Sequence, residues 1–203
     1  MNLQFPKILR PLLGKKLIWQ KKSPSSKVIY LTFDDGPVPE VTPMVLDILD
    51  EYGVKATFFC VGENVKKYPE IYNEILARGH RTGNHTFNHL KGFKTDNDTY
   101  IENVRKAKEY IDSNLFRPPH GLIKRKQVKA LSQDYQIVMW DVISYDYKHF
   151  LLPEEIFNIV KKKTNNGSII VFHDSIKAKN NMLSALPKTI EFLNSEKYCF
   201  ELL

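Results

Sequence analysis

The chain has 203 residues, of which 42% are hydrophobic and 26% are charged, and its formal net charge is +7. The length predicts one domain with a sizeable core, and the composition is ordinary for a soluble globular protein. No basic run is interleaved with aromatic residues, as a single-strand nucleic-acid binder requires, so we interpret the charge as a solvated lysine-rich face and expect no nucleic-acid partner.

The first 26 residues are predicted to form an N-terminal extension that packs on a domain spanning 27–203. Pro6, Arg10, Pro11 and Gly14 interrupt its leucines, which leaves neither an apolar stretch of secretory length nor the ~20 apolar residues of a membrane span. The sequence as it stands therefore predicts a cytoplasmic protein without a stable membrane span. The mixture of apolar and basic residues leaves association with a membrane surface open.

Strand-like and helix-like segments alternate along the rest of the chain. Strands are predicted over 27–31, 56–61, 81–84, 115–117, 136–141, 168–172 and 198–202. Helices are predicted over 42–53 with Thr42 as the cap, over 69–79, from a cap at Asp98 or Thr99 to 113, over 124–133, from Pro153 onward, and over 182–195. Repeated strand–helix units predict an α/β fold with a parallel core.

Polar side chains follow several of these strands at the point where each strand ends. In parallel α/β folds, ligands collect at the carboxyl ends of the strands, so these side chains are expected to converge. They are Asp34, Asp35, His85, His89, Arg117, Asp141 and His173.

The two histidines and the adjacent aspartates predict a metal site. Positions four apart on a helix or turn face the same way, so His85 and His89 can reach one ion, and two histidines with one carboxylate are a common set for catalytic zinc. Adjacent carboxylates repel each other, and a cation relieves this repulsion. We therefore expect Asp35 to bind the metal and Asp34 to act as the general base, although the two features taken singly would fit a turn and a surface histidine pair.

Three further residues complete the predicted chemistry. Arg117 precedes two prolines that stiffen its backbone, so its guanidinium can orient Asp34 and keep it ionised. The backbone amide of His120 in the same turn is expected to form an oxyanion hole. His173 ends the most apolar strand and can protonate a leaving group, with Asp141 or Asp146 holding its tautomer.

Five ordered motifs make the chain from about residue 27 to its C-terminus resemble the polysaccharide deacetylases of carbohydrate esterase family four, the NodB-homology domain. They read TFDDGP at 32–37, HTFNH at 85–89, RPPHG at 117–121, WDVISYDY at 140–147 and IVFHD at 170–174. The resemblance implies a single-domain distorted (β/α) barrel that hydrolyses N-acetyl groups of a peptidoglycan or chitin-like glycan. It implies zinc as the metal, with cobalt as the alternative, and Asp146 as the partner of His173. It also implies that Val171 lines an acetyl pocket, to which Pro118 is assigned as well.

Three positions depart from the family pattern: His120 replaces a tyrosine, Ile143 stands where an acid is common, and Tyr147 stands where a tryptophan is common. We expect these changes to alter the sugar-binding wall. Members of the family usually act outside the cytoplasm, in contrast to the location predicted from the N-terminus.

Two alternatives stay open: an esterase acting on O-acetyl groups, and a non-catalytic glycan-binding module on the same fold. Loss of the general base, of a metal ligand or of the general acid would indicate the binding module. The sugar, the oligomeric state and the pairing of Cys60 with Cys199 are not determined by the sequence.

Overall fold

The protein is described from a computed structural model, in which the described residues are 16–203, so residues 1–15 of the predicted extension lie outside the described part. The strands are β1 Leu17–Ile18, β2 Val28–Asp34, β3 Thr57–Cys60, β4 Arg81–Asn84, β5 Leu115–Phe116, β6 Gln136–Val138, β7 Val142–Ile143, β8 Ser168–His173 and β9 Cys199–Phe200. The helices are α1 Thr42–Glu51, α2 Gly62–Lys67, α3 Pro69–Ala77, α4 Asn97–Lys108, α5 Arg125–Leu131, α6 Pro153–Lys163 and α7 Lys179–Ser195.

The described strands form one curled parallel sheet in the order β1-β6-β5-β4-β3-β2-β8-β7, and β9 pairs with the start of β2. Residues 17–21 run from one side of the curl to the other. Leu17 and Ile18 pair with β6, while the amide of Lys21 donates to the carbonyl of Gly167 just before β8. The predicted α/β class and distorted barrel are confirmed.

The alternation of side chains along β2 and β8 places the predicted catalytic groups inside the barrel. Ile29, Leu31 and Phe33 point outward into the core between sheet and helices, and Val28 and Tyr30 belong to the interior cluster. Because the side-chain period of a strand is two, Thr32 and Asp34 continue the interior face. β8 follows the same rule, with Ile169 and Val171 inside and His173 at its end, directly opposite Asp34 in the register.

Several boundaries differ from the predicted ones. β1, α2 and β7 were not predicted, because two-residue strands and a six-residue helix are too short to show a hydrophobic period. The strand predicted over 136–141 ends at Val138, where the next amide, that of Met139, donates to Ile18. α4 is capped by Asp96, whose side chain accepts from the amide of Thr99, and it ends earlier than predicted.

Helices α1 and α7 also begin differently. The residue before α1 is Val41, and Thr42 lies in the first turn, where its hydroxyl donates to Asp174 rather than capping the helix. α7 begins at Lys179, three residues before the predicted start, so Pro187 lies in its interior.

The two cysteines are not linked, since Cys60 is buried, Cys199 is exposed and both are free. Burial raises the pKa of the Cys60 thiol well above its ordinary value, so this residue behaves as a small hydrophobe. Among residues 16–203, no helix combines the length and the apolar character needed to cross a membrane.

Candidate active site

The predicted site residues meet in a cavity of about 600 Å³ at the carboxyl ends of the strands. The predicted residues that line it are Asp34, Asp35, His85, His89, His120, Val171 and His173. Arg117 and Asp146 are fully buried and do not line the cavity. Pro118 is also buried outside the lining, whereas Leu122, Trp140 and Ile143 form the apolar wall.

Asp34 forms a buried ion pair with Arg117. Nη1 of Arg117 donates to Oδ1 of Asp34 at 2.6 Å and to the hydroxyl of Thr32 at 2.8 Å, and Nη2 donates to the carbonyl of Met139. The guanidinium also lies 4.0 Å from the ring centre of Phe59. Burial lowers the pKa of Arg117, while the charge and hydrogen bond of Asp34 oppose this shift. The pair therefore fixes the orientation of the Asp34 carboxylate.

The backbone turns sharply directly after Asp34. Asp35 has φ of 87°, in the left-handed region that non-glycine residues rarely occupy. Its carbonyl accepts from Asn64 at 2.8 Å, and the next amide, that of Gly36, donates to Oδ1 of Asp174 at 3.0 Å. These contacts hold the strained residue, so that adjacent carboxylates lie in different environments: Asp34 on Arg117, and Asp35 toward the histidines.

His85 and His89 were expected on a helix or turn, and the structure places them on a non-helical turn. Thr86 and His89 have positive φ, which brings the two rings together with centroids 5.1 Å apart. The amide of Gly62 at the start of α2 donates to the carbonyl of Thr86. The side-chain oxygen of Asn103 accepts from the amides of Phe87 and Asn88. α2 and α4 thus support this loop.

Asp35, His85 and His89 offer one ligand atom each, and these atoms all lie within 4.8 Å of one another. Oδ1 of Asp35 is 3.7 Å from Nε2 of His85 and 3.2 Å from Nε2 of His89. Ligands about 2.1 Å from a tetrahedral ion lie about 3.4 Å apart, so these separations suit a metal ion. Nδ1 of His85 donates to the carbonyl of Arg117 at 2.7 Å, which leaves Nε2 as the lone-pair nitrogen facing Asp35.

The protonation states of Asp35 and His85 favour cation binding. Burial lowers the pKa of His85 to about 4, so its imidazole is neutral at neutral pH. Burial opposes ionisation of Asp35, but the hydrogen bond from His89 and the nearby imidazoles hold its pKa below the usual range. A neutral imidazole and an ionised carboxylate are the forms that bind metals.

His173 forms the second buried ion pair, with Asp146 rather than with Asp141. Its Nδ1 donates to Oδ1 of Asp146 at 2.7 Å, and its backbone amide donates to Oδ2 at 2.7 Å. Burial lowers the pKa of His173, but the charge and hydrogen bond of Asp146 outweigh this and raise it to about 9. Asp141 instead accepts from Ser168 and from the amide of Ile169. His173 is therefore a cation at neutral pH.

His120 and Tyr147, two of the departures from the family pattern, lie against the reactive groups. The His120 ring meets His89 edge-on with centroids 4.9 Å apart, and Tyr147 meets His173 edge-on at 5.0 Å. Burial lowers the pKa of His120 to about 4, which keeps this ring neutral. Its φ of 59° places it in a tight turn.

Two supporting residues were not singled out from the sequence. Thr32 accepts from Arg117 and donates to the carbonyl of Ile170 at 2.8 Å, and Asp174 holds Gly36 and Thr42. The dipeptide His173-Asp174 and the period of β2, which places Thr32 on the face of Asp34, are the signals that could have found them.

Comparison with known proteins agrees with this geometry. The sequence profile of the polysaccharide deacetylase family matches residues 21–138. A peptidoglycan-N-acetylglucosamine deacetylase from Bacillus cereus is 34% identical over 87% of this chain and 86% of its own length. A chitooligosaccharide deacetylase from Azorhizobium caulinodans is 36% identical over 72% of this chain and 73% of its own length. A crystal structure of a peptidoglycan N-acetylglucosamine deacetylase with a bound benzamide superimposes with a TM-score of 0.89 and 32% identity, covering 98% of this chain and 94% of that one.

Proposed function

The chain belongs to the polysaccharide deacetylase family, a metal-dependent family of glycan hydrolases, and from this membership we propose how its residues remove N-acetyl groups from a peptidoglycan or chitin-like strand. The observation that carries the proposal is the placement of two buried ion pairs around the three candidate metal ligands. The member that faces the cavity is an anion in one pair and a cation in the other. Asp34 and His173 face the cavity, their partners Arg117 and Asp146 are buried, and the metal ligands lie in the same cavity.

Asp35, His85 and His89 would hold the metal, and we assign zinc, with cobalt as the alternative. Two imidazoles and one carboxylate would suit zinc and would leave a further coordination position for a reactant. A bound ion would polarise the acetyl carbonyl and lower the pKa of the attacking water. The hydrogen bond from His85 to the carbonyl of Arg117 links this ligand to the residue that orients Asp34.

Asp34 and His173 supply the two proton transfers of the hydrolysis. Asp34 accepts a proton from the attacking water as the new carbon–oxygen bond forms. His173, which is cationic at neutral pH, donates a proton to the sugar nitrogen as the carbon–nitrogen bond breaks. The products are acetate and a glucosamine-type amine, and no redox partner is required.

The acetyl group is placed by the wall beside these residues. Val171 lines the cavity with Trp140 and Ile143, which form an apolar surface suited to a methyl group. The backbone amide of His120 is assigned to the oxyanion that develops on the acetyl oxygen. Ile143 thus contributes to the acetyl wall, where an acid is common in the family.

The test is acetate release from N-acetylated oligosaccharides, with O-acetylated xylan as a parallel ester substrate and with zinc, cobalt and chelator arms. The expected result is acetate and free amine from the N-acetyl substrate, loss with chelator and recovery with metal. Turnover of the ester alone, or glycan binding without acetate under every metal, would contradict the proposal.

A ligand variant tests the metal assignment directly. His89→Ala should reduce the bound zinc measured by elemental analysis, while His149→Ala, which changes an exposed histidine outside the cavity, should retain it. Equal zinc content in both variants would refute the ligand role of His89.

A further inference from the structure

The outer part of the cavity carries three exposed lysines, Lys91, Lys94 and Lys177. Among the described residues that line the cavity, the acids are Asp34 and Asp35. Asp34 is paired with Arg117 and Asp35 with the histidines. Beyond the reactive centre, the charge of the cavity is therefore positive. We call these three residues the lysine rim.

The lysines of the rim lie on the segments that follow the proposed metal ligand His89 and the proposed acid His173. Lys91 and Lys94 flank a turn shortly after His89, and in this turn the carbonyl of Gly92 accepts from Gln127 at 3.1 Å. A side chain at Gly92 would meet the carbonyl of Leu122 at 2.4 Å, so the backbone of the turn lies tightly against the segment before α5. These contacts fix the backbone from which the two exposed lysine side chains extend.

Lys177 approaches from the opposite motif. It follows His173 in the loop before α7, and its Nζ lies 5.6 Å from the ring centre of Tyr147, which in turn meets the ring of His173. The rim thus spans both sides of the reactive centre, next to the metal ligand and next to the acid.

None of the three rim ammonium groups forms an ion pair with a carboxylate of residues 16–203. Lys27, Lys55 and Lys188, which lie elsewhere, each have an acidic partner within 4.0 Å. Like charges gathered without counter-ions raise the local concentration of anionic ligands and favour binding of an anion over a neutral molecule. A wall built only for a neutral sugar gains nothing from such charges.

We propose that the lysine rim selects glycan strands that carry carboxylates next to the N-acetylated sugar, in preference to neutral chitin-like strands. This inference rests on the proposed deacetylase function and specifies its substrate class. In a peptidoglycan strand the carboxylates come from two sources: the peptide, where one is attached through an amide bond to the lactyl carboxyl, and the free lactyl carboxylate, where the peptide is absent. Both present the same chemistry to an ammonium group.

The first experiment compares substrates of equal length on the metal-loaded protein. They are a neutral chitooligosaccharide, a peptidoglycan oligosaccharide with its peptides, the same strand with peptides removed, and that strand with its carboxylates methyl-esterified. We expect kcat/KM to be highest for the carboxylated strands, to fall on esterification and to fall with added salt, because salt screens exposed charges. The peptide-free strand shows which carboxylate source matters.

The second experiment removes the rim charges. Lys91→Gln, Lys94→Gln and Lys177→Gln should each raise KM for the carboxylated strand by about two- to fivefold, the range of an exposed ion pair, with kcat little changed. The triple variant should lose most of the substrate preference, and Lys→Arg versions should retain it. Lys22→Gln is the matched control, because Lys22 is exposed and lies against Gly167 at the opposite end of β8.

The outcomes separate the two proposals. Acetate release from all substrates at equal kcat/KM, or equal losses on neutral and carboxylated strands in the rim variants, would overturn the rim inference alone. Absence of acetate from every substrate under every metal would instead overturn the proposed function.

Discussion

The two buried ion pairs of the site differ in which charge is fully buried and which faces the cavity. The first pair joins Asp34, on β2, to Arg117, after β5. Its fully buried member is the cation Arg117, with a side-chain exposure of 0%, whereas the Asp34 side chain is 5% exposed. In the pair after β7 and on β8, the fully buried member is the anion Asp146, at 0%, and His173 is exposed by 9%. The member that faces the cavity is an anion in the first pair and a cation in the second.

This inversion assigns the proton chemistry without reference to the metal. A buried charge that cannot reach the cavity cannot exchange a proton with a reactant, so Arg117 and Asp146 act only through their partners. Arg117 stabilises an ionised Asp34, which can accept a proton, and Asp146 stabilises a protonated His173, which can donate one. In the proposed mechanism, the partners therefore determine which residue acts as the base and which acts as the acid.

The largest effect is expected for Asp34→Asn, which removes the base and preserves side-chain size and a hydrogen-bond acceptor for Arg117. Loss of a general base reduces kcat by about 10²- to 10⁴-fold. The measurement is acetate release at saturating substrate, with bound metal and the thermal midpoint as controls. Activity within threefold of the parent protein would remove Asp34 from the mechanism.

The next largest effect is on stability. Arg117→Met keeps most of the side-chain volume and leaves Asp34 as a buried carboxylate without its cation, a change that costs about 3–5 kcal/mol. Urea unfolding should show this loss.

The double variant Arg117→Met with Asp34→Asn is the control for this loss. It removes the unpaired charge and should recover part of the loss, so its effect is smaller than the sum of the single changes. Additive losses would show that the two residues are not coupled.

The sequence predicted the pairing of Asp34 with Arg117 more firmly than that of His173, for a physical reason. Arg117 follows a strand and precedes two prolines, so few conformations remain for it. Asp141 ends the strand predicted over 136–141 and Asp146 follows it closely, and sequence spacing cannot distinguish them. The choice depends on β7, a two-residue strand whose pairing with β8 continues at the Ser144 amide, which donates to Val171, and brings Asp146 to His173.

The candidate metal ligands show the same limit. Their identity followed from residue types, but the loop geometry did not, because positive φ at Thr86 and His89 depends on contacts from α2 and α4 that lie elsewhere in the chain. The lysine rim could not be predicted from the sequence either. Its three members are unremarkable among 30 basic residues until the fold brings them to one cavity.

Asp146→Asn tests the acid half of the comparison through pH. Burial lowers the pKa of His173, but Asp146, with smaller contributions from Asp35 and Asp34, raises it to about 9, so removal of the Asp146 charge should move the alkaline limb of kcat to lower pH. If the pKa returns to the ordinary 6.5, about one tenth of His173 stays protonated at pH 7.5, and kcat there falls about tenfold.

The same pair should contribute to stability with a defined sign. A raised histidine pKa stabilises the folded state fully below the ordinary value of 6.5, and this contribution is lost as pH rises through about 9. Asp146→Asn should therefore lower the free energy of unfolding more at pH 6 than at pH 9.5. An unchanged pH profile of kcat and an equal stability loss at both pH values would contradict the pairing.

The smallest effect is expected at another buried aspartic acid, Asp174, which has no cationic partner among the described residues and whose pKa burial raises to about 8. Two donors hold it instead, the amide of Gly36 at 3.0 Å and the hydroxyl of Thr42 at 2.7 Å. Thr42→Val removes one donor at nearly constant volume and should cost about 1–2 kcal/mol of unfolding free energy. Thr42→Ser, which keeps the hydroxyl, is the matched control.

Activity distinguishes this aspartic acid from the two ion pairs. Asp174 does not line the cavity, and Thr42→Val leaves its bond to Gly36 in place, so kcat/KM should change by less than about threefold. The contrary result would be a tenfold fall in kcat/KM for Thr42→Val, together with a Thr42→Ser variant that regains stability and does not regain activity. It would mean that the helix side of the barrel positions Asp34 and Asp35. In that case the sign of the charge on the buried partner would no longer be enough to predict which residues control the proton transfers.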